Sequence, residues 1–404
     1  MKKNDNLTGT LIVLILLWLP FSPPHLFAQN TNNSFLKIKS QSGKVLLTND
    51  FLKGDNETSS PIDYYHAYAL EYGRQTAGNK AWERAYLMPK YGLGFYTAAF
   101  FYDQENEDQR LAANELGHPM AVYAFFEGPF KRWHRFSLQY RMAFGLTYNW
   151  NAYDPDDNHF QVAIGSKKTV YIEAGTFVDY MVSPRWNLQA GFSATHFSNG
   201  ATTTPNYGVN LFAPYLSVQY NFNDNIAPKF NERVREPFEK KDEVNIGYAM
   251  GVKQISNPQN TPNTPFPDLN FVTANINTNY MRRISQKSKI GVGIDLNFDE
   301  SSHAQVREDE QGIPEKEKNK LIYKLSAGSY VGYELVVNKV SLVMNVGAYL
   351  LREHYEGMKP VMYQRLGVKY QATDHLYGGI YVRAYKFGIA DFIEWQVGYR
   401  FIKS

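Results

Sequence analysis

The chain has 404 residues, with 42 Lys and Arg against 39 Asp and Glu, and no cysteine. A net charge of +3 without a long basic stripe gives no argument for a nucleic-acid partner, and the lack of cysteine excludes disulfides, thiolate metal sites and thiol nucleophiles. Aromatic residues make up 15% and glycine counts 29, a balance that suits amphipathic strands with aromatic girdles.

In chain order, the first segment reads Met1-Lys2-Lys3, an apolar run from Leu11 to Leu19, then Pro20, Pro23 and Pro24 and a small residue at Ala28. This is the layout of a secretory signal peptide, residues 1–28, cut after Ala28. Its apolar run is too short to cross a bilayer as a helix. No later stretch of about 20 apolar residues exists, in line with the mean hydropathy of −0.44, so a membrane can be crossed only by strands. Residues 29–90 are expected to form a periplasmic lead-in, with Tyr64 to Tyr72 as one possible strand.

From residue 91 to 404, stretches of ten to fifteen residues alternate between apolar and polar side chains. They predict an all-β, antiparallel transmembrane barrel of about 14 strands, within a range of about 12 to 16. The expected strands are 91–103, 118–127, 134–148, 169–180, 186–198, 208–222, 243–255, 269–283, 288–299, 321–336, 340–352, 361–372, 376–387 and 391–402. Short connectors at Ser183-Pro184, Ser285-Gln286, Asn338-Lys339 and Thr373-Asp374 are expected on the periplasmic side. Longer polar ones then face outside, with the charged connector 223–242 as an exception. The charged runs Asp103 to Arg110 and Glu315 to Lys320 read as solvated loop tips.

One segment concentrates the parts of a serine hydrolase. His196 and Ser198, at i and i+2 of a strand, point to the same face, which sets a general base beside a hydroxyl. Their even positions are shared with Trp186, Leu188, Ala190 and Phe192, the apolar side, and Asn210 opens the next strand with the parity of Phe212, Leu216 and Val218. Polar groups aimed at hydrocarbon are costly unless they satisfy one another, and are functional candidates by default. Glu173 and Asp179 fall on the opposite parity, which sends them to the lumen. The expected roles are Ser198 as nucleophile, His196 as base, Asn210 as the group that fixes the His tautomer, and backbone N–H groups near Asn199 and Gly200 as the oxyanion site. The substrate that this geometry suggests is a membrane lipid. No histidine lies in metal-ligand spacing with acids.

His196-Phe197-Ser198-Asn199 followed by Pro205-Asn206-Tyr207-Gly208 resembles the signature of the lipid A 3-O-deacylase (acyloxyacyl hydrolase-like) family, whose members carry an acid where Asn210 stands. The ending Lys386-Phe387-Gly388-Ile389-Ala390-Asp391-Phe392-Ile393-Glu394-Trp395 with Gly398-Tyr399-Arg400-Phe401 is similar to the C-terminus of deacylase-like proteins. The same His196-x-Ser198-Asn199-Gly200 with Asn210 also resembles outer-membrane phospholipase A, a calcium-using family with a Ser-His-Asn arrangement. Residues 201–209 hold no Asp or Glu, so the calcium-binding carboxylate of that family has no counterpart here and no cofactor is expected. The resemblance implies an outer-membrane esterase acting on lipid A or lipopolysaccharide. The alternatives are a phospholipase A and a non-enzymatic channel or structural barrel.

Overall fold

The computed structural model describes residues 33–101, 107–223, 238–255, 269–304, 306–308, 314–316, 319–353 and 360–403. The expected signal peptide lies outside them. The first eight strands are β1 (Ser34–Leu46), β2 (Tyr64–Gln75), β3 (Lys90–Phe101), β4 (Gly117–Arg132), β5 (Phe136–Trp150), β6 (Thr169–Ser183), β7 (Trp186–Ser198) and β8 (Val209–Asn221). They close into an antiparallel barrel in chain order, β8 returning to pair with β1. A second closed barrel follows: β9 (Asp242–Lys253), β10 (Phe271–Arg283), β11 (Ser288–Asp299), β14 (Leu325–Val337), β15 (Val340–Arg352), β16 (Met362–Gln371), β17 (Leu376–Tyr385) and β18 (Ile389–Lys403). It is sealed by β18 on β9. Between β11 and β14, β12 (Val306–Glu308) and β13 (Pro314–Lys316) form a small hairpin.

All fourteen expected strands are present, 186–198, 288–299 and 340–352 with the bounds expected and the others with an end moved by up to five residues. Two expectations change. The segment read as a lead-in supplies β1 and β2, and the strands divide between two eight-stranded barrels where a single barrel of 14 was expected. Strand β1 is hard to read because its inward positions are Lys37, Lys39 and Gln41, all buried, while its outward ones are Leu36 and Ile38. Closure is also silent in the local pattern, because β1 finds its second partner only at β8.

Eight strands leave an interior just wide enough for side chains to fill, and charge fills it here. In the first lumen Arg141 reaches Glu71 at 2.5 Å, Glu127 at 2.6 Å and Glu173 at 3.0 Å, while Lys37 pairs with Glu71 at 2.8 Å and with Glu127. Lys39 meets Glu173 at 2.6 Å and Lys90 meets Asp179 at 2.8 Å. Glu173 and Asp179 thus sit in the lumen, as parity required. In the second, Arg365 and Arg383 hold Glu394 at 2.8 and 2.7 Å, and Lys253 bridges Asp299 and Asp391 at 2.6 and 3.0 Å. Buried charges survive only when paired in this way. Internal spaces of about 20 Å³ among Asn245, Asn277, Tyr330 and Gln396, and about 40 Å³ among Asn297, Asp299, Tyr349 and Arg383, have room for a water or a few.

The outer walls are apolar. Leu188, Phe192, Phe212, Leu216 and Val218 on the first barrel and Ile246, Tyr248, Ile294 and Val331 on the second are exposed. Near the short-turn end aromatic rings cluster: Trp186 lies 4.9 Å from Tyr220, Phe136 stacks on Tyr180 at 4.6 Å, and Tyr399 meets Phe401 at 4.7 Å. Such girdles mark the membrane–water boundary of a transmembrane barrel. At the opposite end the long connectors of the first barrel fold onto one another. Phe51, Leu52, Ile62, Ala112, Leu116, Trp150, Ile164 and Val209 share one apolar core there, and the charged run that continues to Arg110 enters a helix, Glu107–Leu116.

Candidate active site

The candidate residues stand where β7 and β8 emerge into that packed end. His196 and Asn210 are directly opposed in the ladder, which brings their side chains within reach on the outer face. His196 Nδ1 and Asn210 Oδ1 are 2.7 Å apart. An amide oxygen can only accept, so Nδ1 carries the proton and donates, leaving Nε2 with its lone pair free for base chemistry. The Asn210 amide is oriented from its other side, where Nδ2 donates to Thr48 Oγ1 at 3.2 Å.

Ser198 lies two residues along the same face, but its hydroxyl is held by other partners than the imidazole. Gly200 N–H donates to Ser198 Oγ at 3.1 Å and Asn206 Nδ2 donates to it at 2.9 Å. No hydrogen bond joins Ser198 to His196. Of the two residues expected at the oxyanion site, Gly200 turns its N–H toward Ser198, whereas Asn199 N–H is engaged by Asn206 Oδ1 at 3.1 Å. Asn206 therefore braces the turn and supplies a donor at the hydroxyl. In the sequence it stands only as part of the Pro205-Asn206-Tyr207-Gly208 motif, and its side-chain role has no signature in spacing. Although parity aims it outward, Ser198 is only 9% exposed, because loops cover it.

The loop between β7 and β8 owes its shape to two left-handed turns. Gly200 and Ala201 have φ of 63° and 60°, and Gly208 has φ of 77°, a region that L side chains enter at a cost. A Cβ on Gly208 would lie 3.0 Å from His196 Cε1 and from the Phe197 carbonyl oxygen, so glycine lets the backbone lie against the imidazole. Gly208 N–H donates to the Ala163 carbonyl at 2.9 Å, and Asn49 Nδ2 donates to the Gly208 carbonyl at 3.1 Å. Asn49 also caps the short helix Asp50–Lys53 through Leu52 N–H. The first long connector thus fixes the site through adjacent residues, Thr48 behind Asn210 and Asn49 behind Gly208. Among the described residues no three His, Asp or Glu side chains are grouped to hold a metal ion.

The arrangement is an imidazole whose Nδ1 is held by an amide oxygen, a serine whose oxygen faces a backbone N–H and an amide donor, and a strand whose outer face is apolar. These are the parts of an acyl transfer.

Sequence comparison gives two family matches. "Lipid A 3-O-deacylase (PagL)" matches residues 66–219 and "Acyloxyacyl hydrolase, C-terminal domain" matches residues 242–404. No curated protein sequence matches the chain. Solved structures with similarity include Neisserial surface protein A, at 11% identity and TM-score 0.31 over 47% of this chain and 97% of that one. Others are the siderophore receptor PirA from Acinetobacter baumannii, at 10%, TM-score 0.22 and 93% and 69% coverage, and an outer membrane channel from Pseudomonas putida F1, at 10%, TM-score 0.18 and 94% and 99% coverage. One family model spans most of the first barrel and the other spans the second, and the chain belongs to the lipid A 3-O-deacylase (acyloxyacyl hydrolase) family of outer-membrane ester hydrolases.

Proposed function

We propose that this protein removes a fatty acyl chain from lipid A in the outer leaflet, using Ser198, His196 and Asn210 on the lipid-facing wall of the first barrel. The observation that carries the reading is the 2.7 Å contact between His196 Nδ1 and Asn210 Oδ1, two residues along the strand from Ser198. A tautomer fixed by a neutral amide is what a base needs if it is to accept a proton at Nε2.

In this mechanism the substrate ester enters along the apolar wall formed by Phe192 and Phe212, whose rings stack at 6.0 Å just below the site. The Ser198 hydroxyl leaves its resting partners, gives its proton to His196 Nε2 and attacks the ester carbonyl. In resting enzymes such bonds are often loose and tighten when substrate binds. Gly200 N–H and Asn206 Nδ2, freed from the hydroxyl, are near the place where the carbonyl oxygen gains charge, so they supply the stabilisation. His196 returns the proton to the leaving alkoxide, and water then resolves the acyl-serine by the same route, releasing a free fatty acid.

The test is mass spectrometry of lipid A and phospholipid after outer membranes are incubated with wild-type protein or Ser198→Ala. Loss of one acyl chain from lipid A with wild type alone is expected. Lysophospholipid with intact lipid A would overturn the substrate, and identical products from both proteins would overturn the nucleophile.

A further inference from the structure

The second barrel contacts the catalytic loop directly. Gln254, just past the end of β9, donates its backbone N–H to the Ala201 carbonyl at 3.1 Å, and its side-chain Oε1 accepts the Thr204 N–H at 3.1 Å. The amide is oriented by Nε2, which donates to Asn270 Oδ1 at 3.4 Å. Ile393 of β18 fills the space beside Gly200, where a Cβ would come within 2.4 Å of Ile393 Cγ1. Three contacts thus fall on Gly200, Ala201 and Thr204, within the loop that carries the N–H facing Ser198.

Both contacting residues are anchored by the same buried ion pair. Gln254 follows Lys253, and Ile393 lies two residues after Asp391, whose carboxylate holds Lys253 Nζ at 3.0 Å inside the second lumen. The register of β17 on β18 shifts at Arg383/Ala384, leaving Asp391 unmatched between Phe392 and Ala390. Asp391 and Phe392 are both buried, and Ile393 turns outward against Gly200. Such a bulge re-aims a side chain.

We infer that the second barrel is a working part of the catalytic centre, with Gln254 and Ile393 as positioning residues that hold the loop 199–208 so that Gly200 N–H meets the forming oxyanion. This rests on the acyl transfer proposed above. A single eight-stranded barrel spans a membrane, so the second is not required for insertion. Its contribution is to the loop, where a small displacement of a donor costs a large part of the rate.

The experiment uses the full-length protein in lipid A vesicles and follows fatty acid release for wild type, Gln254→Leu, Gln254→Glu, Ile393→Ala and Ser198→Ala. Leucine keeps the size of the side chain and loses the acceptor, whereas glutamate keeps an oxygen for Thr204 N–H. Gln254→Leu is expected to lower kcat about tenfold with KM within about twofold and an unchanged folded fraction on unheated gels, and Gln254→Glu to keep at least about half of kcat. Ile393→Ala is expected to lower kcat about threefold to tenfold. Wild-type kcat in Gln254→Leu, or equal losses in the Leu and Glu variants, would overturn the inference. Activity in Ser198→Ala would end the parent reading and this one together. An inactive Ser198→Ala beside a fully active Gln254→Leu would remove this inference alone.

Discussion

The two barrels solve the same problem in the same way and differ at one end. Each has eight strands, an apolar outer wall and a lumen packed with ion pairs. Among the described residues, only the first shows long connectors folded into an apolar core at its mouth, with Phe51, Leu52, Leu116, Trp150 and Ile164 packed together. The candidate site stands beside that core, on the wall. The second barrel carries no comparable constellation among its described residues and supplies contacts to the site instead. The scaffold is therefore general, and the proposed chemistry belongs to one loop and what buttresses it.

The sharpest way to separate the barrels is to remove the residue that does most in each half. Ser198→Ala is expected to lower deacylation on the order of a thousandfold or more while leaving both barrels folded, read by lipid A mass spectrometry and by gel mobility before and after heating. Arg141→Met in the first lumen leaves Glu71, Glu127 and Glu173 short of a partner and is expected to cost about 3–5 kcal/mol. The loss should show as a lower temperature at which the folded band disappears. Arg365→Met in the second lumen removes a partner from two carboxylates, Asp295 and Glu394, where Arg141 serves three, and should destabilise by less.

Smaller effects test the wall itself. Gly208→Ala forces a Cβ against His196 at a left-handed φ, a strain of roughly 1–2 kcal/mol, and should lower kcat more than it lowers the melting temperature. Asn210→Asp puts a carboxylate on the Nδ1 side, which favours the imidazolium. The acid limb of kcat/KM should then move to higher pH, and an unmoved limb would show that Asn210 does not face the catalytic base. The smallest effect lies in the cap. Glu115, in the helix Glu107–Leu116, has its carboxyl pushed up to about 7 by burial and by the nearby Glu57. A raised folded value means that its contribution is complete below the unfolded carboxylate range and fades as pH rises through about 7. Glu115→Gln should flatten the dependence of thermal stability on pH between about 5 and 8.

The alternation of Trp186, Leu188, Ala190 and Phe192 with Asn187, Gln189 and Ser193 was enough to place β7 and to turn His196 outward, because strand parity has a period of two. The same argument put Asn210 on the outward face that His196 shares, and the register then sets the two directly opposite each other. Division into two barrels was not legible, since the pairings of β1 with β8 and of β9 with β18 join strands far apart in sequence and leave no local mark. Asn206 was missed as a donor because its position depends on the path of a loop with left-handed turns. Gln254 was missed because it belongs to the other barrel.

Sealing two small rings has a consequence for how the chain is assembled. In hydrocarbon an unpaired strand edge is intolerable, and one sixteen-stranded ring would have to keep its first edge open until Lys403 arrived. Here Phe35 can meet Asn221 while everything from Asp242 onward is still unfolded. The entropy saved by halving the closure distance is small, about 0.6 kcal/mol, but the time spent with an exposed edge is shortened, and contacts closer in sequence form faster. The N-terminal ring can therefore be complete before its partner exists, and the contacts of Gln254 and Ile393 with the loop 199–208 form only when the second ring arrives.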